Sequence, residues 1–294
     1  MTLALFPGQG VQAAGMGAAL IDAVPDVFAT ASQVLGVDVV ELCLEGSSGP
    51  ADLNSTRWAQ PAVLTCGVAA FRVLSERGRQ FDAVAGHSVG EYAALVAADA
   101  LDLTDAVRLV AERAEATDEA GRATPGGMAA VMRIDRDAVE AICARHGVAL
   151  AADNGPGQLV ISGPLDGLEQ AVAACKEAGG TCRQLDVAAA FHSPVMAPAA
   201  QRLARAFADI RLVAPRIPFW SSATAQPVSR PDEIRRLLLA QLTSPVRWRE
   251  TVTALAQRVG SAFCDLGPGR VLAGLVRRIV KGAEILTAEE LVTA

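Results

Sequence analysis

The sequence predicts an α/β protein with a parallel central sheet, into which a smaller ferredoxin-like βαββαβ unit is inserted. Three observations carry this reading. Alanine and valine run throughout a chain that is 51% apolar, the composition of strands buried on both faces of a parallel sheet. A short apolar strand at residues 81–85 leads into Gly86-His87-Ser88-Val89-Gly90 and then into a helix-forming run at 91–98, a strand–turn–helix unit. Between about residues 127 and 187 the pattern changes to strand, helix, strand, strand, helix, strand. At 294 residues the chain is long enough to bury a large core.

Taken in order, residues 2–6 form a short buried strand, and Pro7-Gly8-Gln9-Gly10 is a loop leaving its end. Ligands of open α/β sheets bind beyond the carboxyl ends of strands, which sets this loop beside the Ser88 turn. The glycines allow backbone amides to approach a substrate, and the N–H groups of Gln9 and Val89 are candidates for an oxyanion hole. A phosphate-binding loop or a plain turn is the other reading, but neither nucleotide-binding glycine pattern follows. Helical patterns occupy residues 27–35 and 59–76. At the elbow a serine on a tight turn needs small neighbours, and the helix behind it aims unpaired N–H groups at whatever the serine attacks. Ser88 is the candidate nucleophile; the competing role is a helix N-cap in a glycine-rich turn.

The helix at 104–119 holds an anomaly. At 100° per residue Ala106, Leu109 and Val110 fall within about 60° of Arg113, whereas Arg108, Glu112, Glu115, Asp118 and Glu119 lie mostly on the other side. An unpaired guanidinium on an apolar face is costly. Arg113 therefore has a buried acidic partner, snorkels, or waits for an anionic ligand, and a carboxylate suits its planar fork.

The insert reads as strand 128–134, helix 136–145, strands 148–152 and 159–162, helix 165–178 and strand 181–187, punctuated by Gly126-Gly127 and Gly179-Gly180. Ala190-Phe191-His192-Ser193-Pro194 follows it. Of the three histidines, His146 lies on a polar helix face and His87 is expected to point away from the serine. His192, on a loop between an aromatic and a proline, is the best general base; the alternative is a loop histidine with no role. The last third returns to the large domain with a strand at 217–221, helices at 233–241 and 246–257, a strand at 262–266 and a Gly267-Pro268-Gly269 turn into a helix at 271–280.

Composition narrows the setting. A formal net charge of −6 without a basic cluster gives nucleic acid no surface to bind. The six cysteines are scattered with no Cys-x-x-Cys pair, which reads as reduced thiols of a cytoplasmic protein and not as a disulfide framework or a metal site. The uncharged N-terminal stretch is interrupted by Pro7 and several glycines and lacks a basic leader, so no membrane span or signal peptide is expected.

Gly8-Gln9-Gly10, the elbow through Glu91, Arg113, Asn154-x-x-x-Gln158, Ala190-Phe191-His192-Ser193, Ser244-Pro245-Val246-x-Trp248 and Gly267-Pro268-Gly269 follow one another along the chain. This order resembles the malonyl-CoA:acyl carrier protein transacylases and the acyltransferase domains of polyketide synthases, over essentially the whole length. The resemblance implies an α/β-hydrolase-like large domain (residues 1–125 and 193–294), a ferredoxin-like small subdomain (126–192) and an active site in the cleft between them. It implies that Ser88 takes the acyl group from coenzyme A as an ester, and that His192 deprotonates Ser88 and later the phosphopantetheine thiol of an acyl carrier protein. The backbone carbonyl of Gln241 would orient His192, the amides of Gln9 and Val89 would form the oxyanion hole, and Arg113 would pair with the free carboxylate. Asn154, Gln158 and Phe191 match substrate-binding positions. A coenzyme A thioester is then a substrate, with no tightly bound cofactor and no metal.

The same resemblance points to malonyl: Phe191 before the base is bulky, and Val89 after the serine is the residue of malonyl enzymes. Rejecting one methyl is worth only about 1–3 kcal/mol. Departures are Val11 where serine is usual, Ala152 in place of the first asparagine of Asn-x-Asn, and Ala114-Glu115-Ala116-Thr117 after Arg113. Ala116 and Thr117, on the Arg113 side, are expected to enlarge the pocket and allow larger acyl groups. Arg270, Arg277, Arg278 and Lys281 are candidate contacts of an acidic carrier protein. With its first strand beginning at Met1 and its end soon after the last helix, the chain is expected to be a free-standing monomer serving a carrier in trans, in fatty acid or polyketide synthesis. A thioesterase on the same elbow, with no use for Arg113, and a non-catalytic carrier-docking protein are the rival classes.

Overall fold

Residues 1–187 and 189–293 are described by a computed structural model. The chain opens with β1 (Thr2–Phe6), α1 (Ala18–Ile21), α2 (Pro25–Leu35), α3 (Val39–Glu45), the short strands β2 (Ser47–Ser48) and β3 (Ala51–Asp52), and α4 (Thr56–Glu76). Next come β4 (Ala83–Gly86), α5 (Gly90–Ala97) and α6 (Leu103–Ala123). The insert follows as β5 (Gly126–Met132), α7 (Arg136–His146), β6 (Ala149–Gly155), β7 (Gln158–Pro164), α8 (Leu165–Glu177) and β8 (Thr181–Gln184). The chain then runs α9 (Ala197–Ala206), β9 (Phe219–Ser221), β10 (Gln226–Val228), α10 (Pro231–Gln241) and α11 (Trp248–Arg258). It finishes with β11 (Ala262–Asp265), α12 (Val271–Ile279), β12 (Glu284–Thr287) and α13 (Ala288–Val292).

Among the described residues the larger sheet has six strands in the order β10-β9-β4-β1-β11-β12. All its pairings are parallel except that of β10 with β9, at one edge. Leu3, Ala4, Leu5 and Phe6 are fully buried, as a strand covered on both faces requires. Phe6 stands opposite Gly86 in the register of β1 and β4, so the loop after β1 and the turn after β4 leave the sheet side by side.

The first turn of α5 crosses that point with no space to spare. A Cβ at Gly90 would lie 2.2 Å from the carbonyl oxygen of Phe6 and 2.6 Å from that of Pro7, and one at Gly86 would lie 2.1 Å from the amide nitrogen of Glu91. Glycine at these positions is a packing requirement of the turn.

The insert forms a four-stranded antiparallel sheet in the order β6-β7-β5-β8, the ferredoxin-like arrangement of a βαββαβ unit. Strand alternation divides its side chains between two faces. Ala129, Val131, Leu159 and Ile161 pack under α7 and α8 with Val139, Ile142, Leu168 and Ala171. Met128, Ala152 and Val160 belong instead to the main core. The insert is fastened along β6: the Asp153 amide donates to the Val246 carbonyl and the Val246 amide to that of Ala151, both at 2.9 Å. The buried Asp153 carboxylate pairs with Arg249 at 2.7 Å and Arg136 at 3.3 Å.

Several element boundaries differ from the sequence reading. The elbow strand covers Ala83–Gly86, and β8 ends at Gln184, short of residue 187. β10 and β12 carry no sequence signal of their own: three and four residues long, they are too short for a period to show. Among the described residues no single helix is long and apolar enough to cross a membrane.

Gly90→Ala is expected to lower stability by about 1–3 kcal/mol or more through overpacking, read as a lower urea midpoint at unchanged slope. Gly274→Ala, inside α12 with nothing within 4 Å of the new methyl, is expected to raise it by about 0.5–1 kcal/mol.

Candidate active site

The loop after β1, the turn after β4 and the inner face of the small sheet enclose a cavity of about 490 Å3. Ser88 sits at its base with φ of 53°, a left-handed conformation that a residue with a Cβ holds only when its surroundings enforce it. Its Oγ lies 2.8 Å from Nε2 of His192. The other ring nitrogen, Nδ1, faces two carbonyl oxygens, Gln241 at 2.8 Å and Ser244 at 3.2 Å. Carbonyls only accept, so Nδ1 carries the proton and Nε2 is free to accept from the serine hydroxyl. Gln241 is the last residue of α10, where carbonyls lack helical partners and carry the negative end of the helix dipole. The helix terminus thus occupies the place an acidic side chain takes in a serine triad.

Burial, and after it the Arg113 cation, draw His192 from its usual 6.5 down to about 3. The imidazole is therefore neutral at any physiological pH and ready to act as a base. Arg113 is 2% exposed. One of its terminal nitrogens, Nη1, donates to Gln60 Oε1 at 2.5 Å, the other, Nη2, donates to Ser88 Oγ at 3.0 Å, and Nε has no partner. Burial lowers its pKa, yet an arginine does not give up its proton in a protein. Among the described residues no carboxylate stands within ion-pair distance of it. A structural salt bridge and a snorkelling side chain, both open from the sequence, are thereby set aside.

The amides of Gln9 and Val89 donate to no acceptor among the described residues, and both residues line the cavity. Unpartnered amides at a buried turn are uncommon, and this pair borders the space above Ser88. Phe191, Gln158 and Asn154 line the cavity as well. Asn154 Oδ1 holds Nε2 of His87 at 2.8 Å, and the His87 ring lies edge-on to Trp248.

His87, expected to point away from the serine, makes no hydrogen bond to Ser88; it borders the same cavity, held by Asn154 and Trp248. A correction concerns the helix after Arg113. Ala116 and Thr117 are buried beside it, but neither reaches the cavity, and the Thr117 hydroxyl donates to the Ala114 carbonyl. They do not enlarge the pocket. The four basic candidates divide: Arg270 and Arg278 line the cavity, whereas Arg277 is turned onto the Ile285 carbonyl at 3.4 Å and Lys281 lies outside the lining.

Two site residues escape the sequence reading. Gln60 joins Arg113 to the loop after β1, accepting from the guanidinium and donating to Gln9 Oε1 at 3.3 Å. Glu91 is fully buried one residue into α5. Each is a polar residue within an otherwise apolar helical run, the signal by which Arg113 is found.

A fold of this kind with a serine–histidine dyad beside a buried, unpaired arginine defines a class, the serine acyltransferases. The acyl transferase domain model matches residues 4–293. The malonyl CoA-acyl carrier protein transacylase of Escherichia coli (strain K12) is 40% identical over 296 residues, 98% of this chain and 94% of that protein. A malonyl-transacylase solved in complex with its type II polyketide acyl-carrier protein superposes with a TM-score of 0.93 at 37% identity, covering 100% of this chain and 98% of the other. The polyketide biosynthesis protein ThaF of Burkholderia thailandensis is 39% identical over 281 residues, which are 94% of this chain and 24% of that longer protein. The chain belongs to the acyl transferase family, in its malonyl-CoA:acyl carrier protein transacylase group.

His192 is expected to titrate near 3 when followed by its ring-proton shifts, and to move upward in Arg113→Ala, which removes the adjacent cation. The folded value lies below the ordinary 6.5. The stability linked to this group is therefore complete above the unfolded pKa and is lost as pH falls from there toward 3.

Proposed function

We propose that the chain moves a malonyl group from coenzyme A to the phosphopantetheine thiol of an acyl carrier protein, in fatty acid or polyketide synthesis, through an ester on Ser88. The observation that carries this is Arg113, a buried cation with no ion-pair partner whose Nη2 lies 3.0 Å from the nucleophile. A malonyl thioester brings a carboxylate a few bonds from its reacting carbonyl, which suits a guanidinium in that position. A thioesterase acting on simple acyl groups leaves this charge without a purpose.

His192 Nε2 takes the proton of Ser88 as Oγ attacks the thioester carbonyl, and the oxyanion that forms is held by the amides of Gln9 and Val89. Collapse breaks the carbon–sulfur bond, and the departing thiolate takes the proton from His192. The carrier thiol then enters, gives its proton to His192 and attacks the ester carbonyl, and Ser88 leaves with that proton. The Gln241 carbonyl keeps the imidazole in the productive tautomer through both halves. Phe191 crowds the α-carbon of the bound acyl group, and Gln158 and Asn154 border it from the small subdomain. Arg270 and Arg278 at the cavity serve the phosphate groups of the donor and of the carrier arm.

The proposal includes the division into a large domain (residues 1–125 and 193–294) and a small subdomain (126–192), a cytoplasmic monomer, and a reaction that calls on no bound cofactor or metal. It is supported by a chemistry complete in the side chains and amides named above.

The test is mass-spectrometric loading with malonyl-CoA, with and without phosphopantetheinylated carrier protein. Wild type is expected to carry malonyl on Ser88 and pass it to the carrier, and Ser88→Ala to carry none. Arg113→Ala is expected to lose malonyl loading by roughly 100- to 1000-fold, the worth of a buried charge contact. Release of free malonate without carrier loading would make the protein a hydrolase.

A further inference from the structure

We infer that Glu91 is a positioning residue for the catalytic base, acting through the side chain of Gln241. The inference rests on the reading of Ser88 and His192 as nucleophile and base. Glu91 follows Ser88 by three residues and is fully buried. Its flanking residues in α5, from Gly90 to Leu95, are themselves buried, so a carboxylate here needs strong partners to be retained. It has three. Oε1 accepts from the Ser222 amide at 2.5 Å and the Ser222 hydroxyl at 2.9 Å, and Oε2 accepts from Gln241 Nε2 at 2.6 Å.

Gln241 is the residue whose backbone carbonyl receives the His192 Nδ1 proton. Its own side chain is buried and its Oε1 has no partner among the described residues. The hydrogen bond to Glu91 is thus what fixes the Gln241 side chain. One carboxylate thereby links the helix that follows the nucleophile, the end of β9 and the C-terminus of α10. Through two hydrogen bonds it sets where the base is held. Glu91 reaches His192 by way of Gln241 and not by a hydrogen bond of its own, so the effect is one of placement.

The same geometry makes the clamp dependent on protonation. A carboxylate accepts strongly from the Gln241 amide; protonated, Glu91 is a weaker acceptor and a donor, so the amide is held less firmly or turns to offer its unpartnered Oε1. The charged and titratable groups facing Glu91 are Arg113 from α6 and Tyr92 from α5, with the Ser221 and Ser222 donors from the end of β9 and the Gln241 amide from α10. Burial outweighs Arg113 and the donors and lifts the carboxyl to about 7. The clamp in this form is therefore made above neutrality and altered below it, while His192 itself stays neutral down to about 3. An acid limb of acylation near pH 7 is the expected consequence. The linked stability runs the same way round: the folded value lies above the unfolded 4.5, so this contribution is full below 4.5 and lost as pH rises through about 7.

The experiment is single-turnover acylation of Ser88 by malonyl-CoA from pH 5 to pH 9, on wild type, Glu91→Gln, Gln241→Ala and the double variant, with melting temperatures alongside. Glu91→Gln is expected to lower the acylation rate by about 10- to 100-fold, the scale of a misplaced catalytic group. Malonyl-CoA affinity is expected to stay within about twofold, as for an interaction felt only in the transition state, and the acid limb to vanish. Gln241→Ala keeps the backbone carbonyl and is expected to reproduce this loss, and the double variant to add little to either. An unchanged rate and pH profile in Glu91→Gln, with only the melting temperature lowered, overturns the inference. Should that variant fail to fold, an unaltered acid limb in Gln241→Ala overturns it equally. A wild-type protein that carries no malonyl overturns the acyl-transfer reading itself, which is a distinct result.

Discussion

The close approach of helix α5 to the carbonyl end of β1 is the constraint on which the site depends. With 2.2 Å between a Cβ at Gly90 and the Phe6 oxygen, the chain has one way to pass from strand to helix. That path holds Ser88 in its left-handed conformation and brings Val89 to the cavity beside the loop from β1. The strained serine and the two unpartnered amides of Gln9 and Val89 are neighbours because β1 and β4 are neighbouring parallel strands. Backbone strain at a single residue is sustained because the sheet beneath it is buried on both faces.

Around that turn the electrostatics form one system. Burial, and after it Arg113, keeps His192 neutral; the guanidinium stands beside Ser88, and Gln60 joins it to the loop after β1. On the far side Glu91 ties α5 to the carbonyl cluster at the end of α10. The base has no acidic partner of its own because a helix terminus supplies the acceptor, and the carboxylate is set one residue further back. A buried cation and a buried anion thus flank a neutral imidazole, each spending its desolvation cost on geometry at the reacting atoms.

The sequence made legible whatever a short local pattern could encode. The elbow, the βαββαβ insert and Arg113 on an apolar helix face are readable because each is a periodicity or a turn signal broken by one unlike residue. His192 and Ser88 lie 104 positions apart, and no local rule joins them; the ordered motifs of the family did so. Gln60 and Glu91 were equally visible as polar residues in apolar helices, yet their partners, Arg113, Ser222 and Gln241, are brought together only by the tertiary fold. For His87 the sequence sets the side chain apart from that of Ser88, but its partners Asn154 and Trp248 come from distant elements that only the tertiary fold brings together. Ala116 and Thr117 occupy the helix face that periodicity assigns them, but a helix face does not reveal which of its residues a cavity reaches.

The two faces of the small sheet have a consequence for how such a protein diversifies. Neighbouring residues along β5 and β7 answer to different demands: Ala129 and Leu159 to the insert's own packing, Met128 and Val160 to the chamber beside Ser88. Drift at alternate positions can therefore remodel the chamber wall while the neighbouring codons remain under selection for folding. The alternation of a β-strand separates innovation from upkeep within two short stretches of one gene.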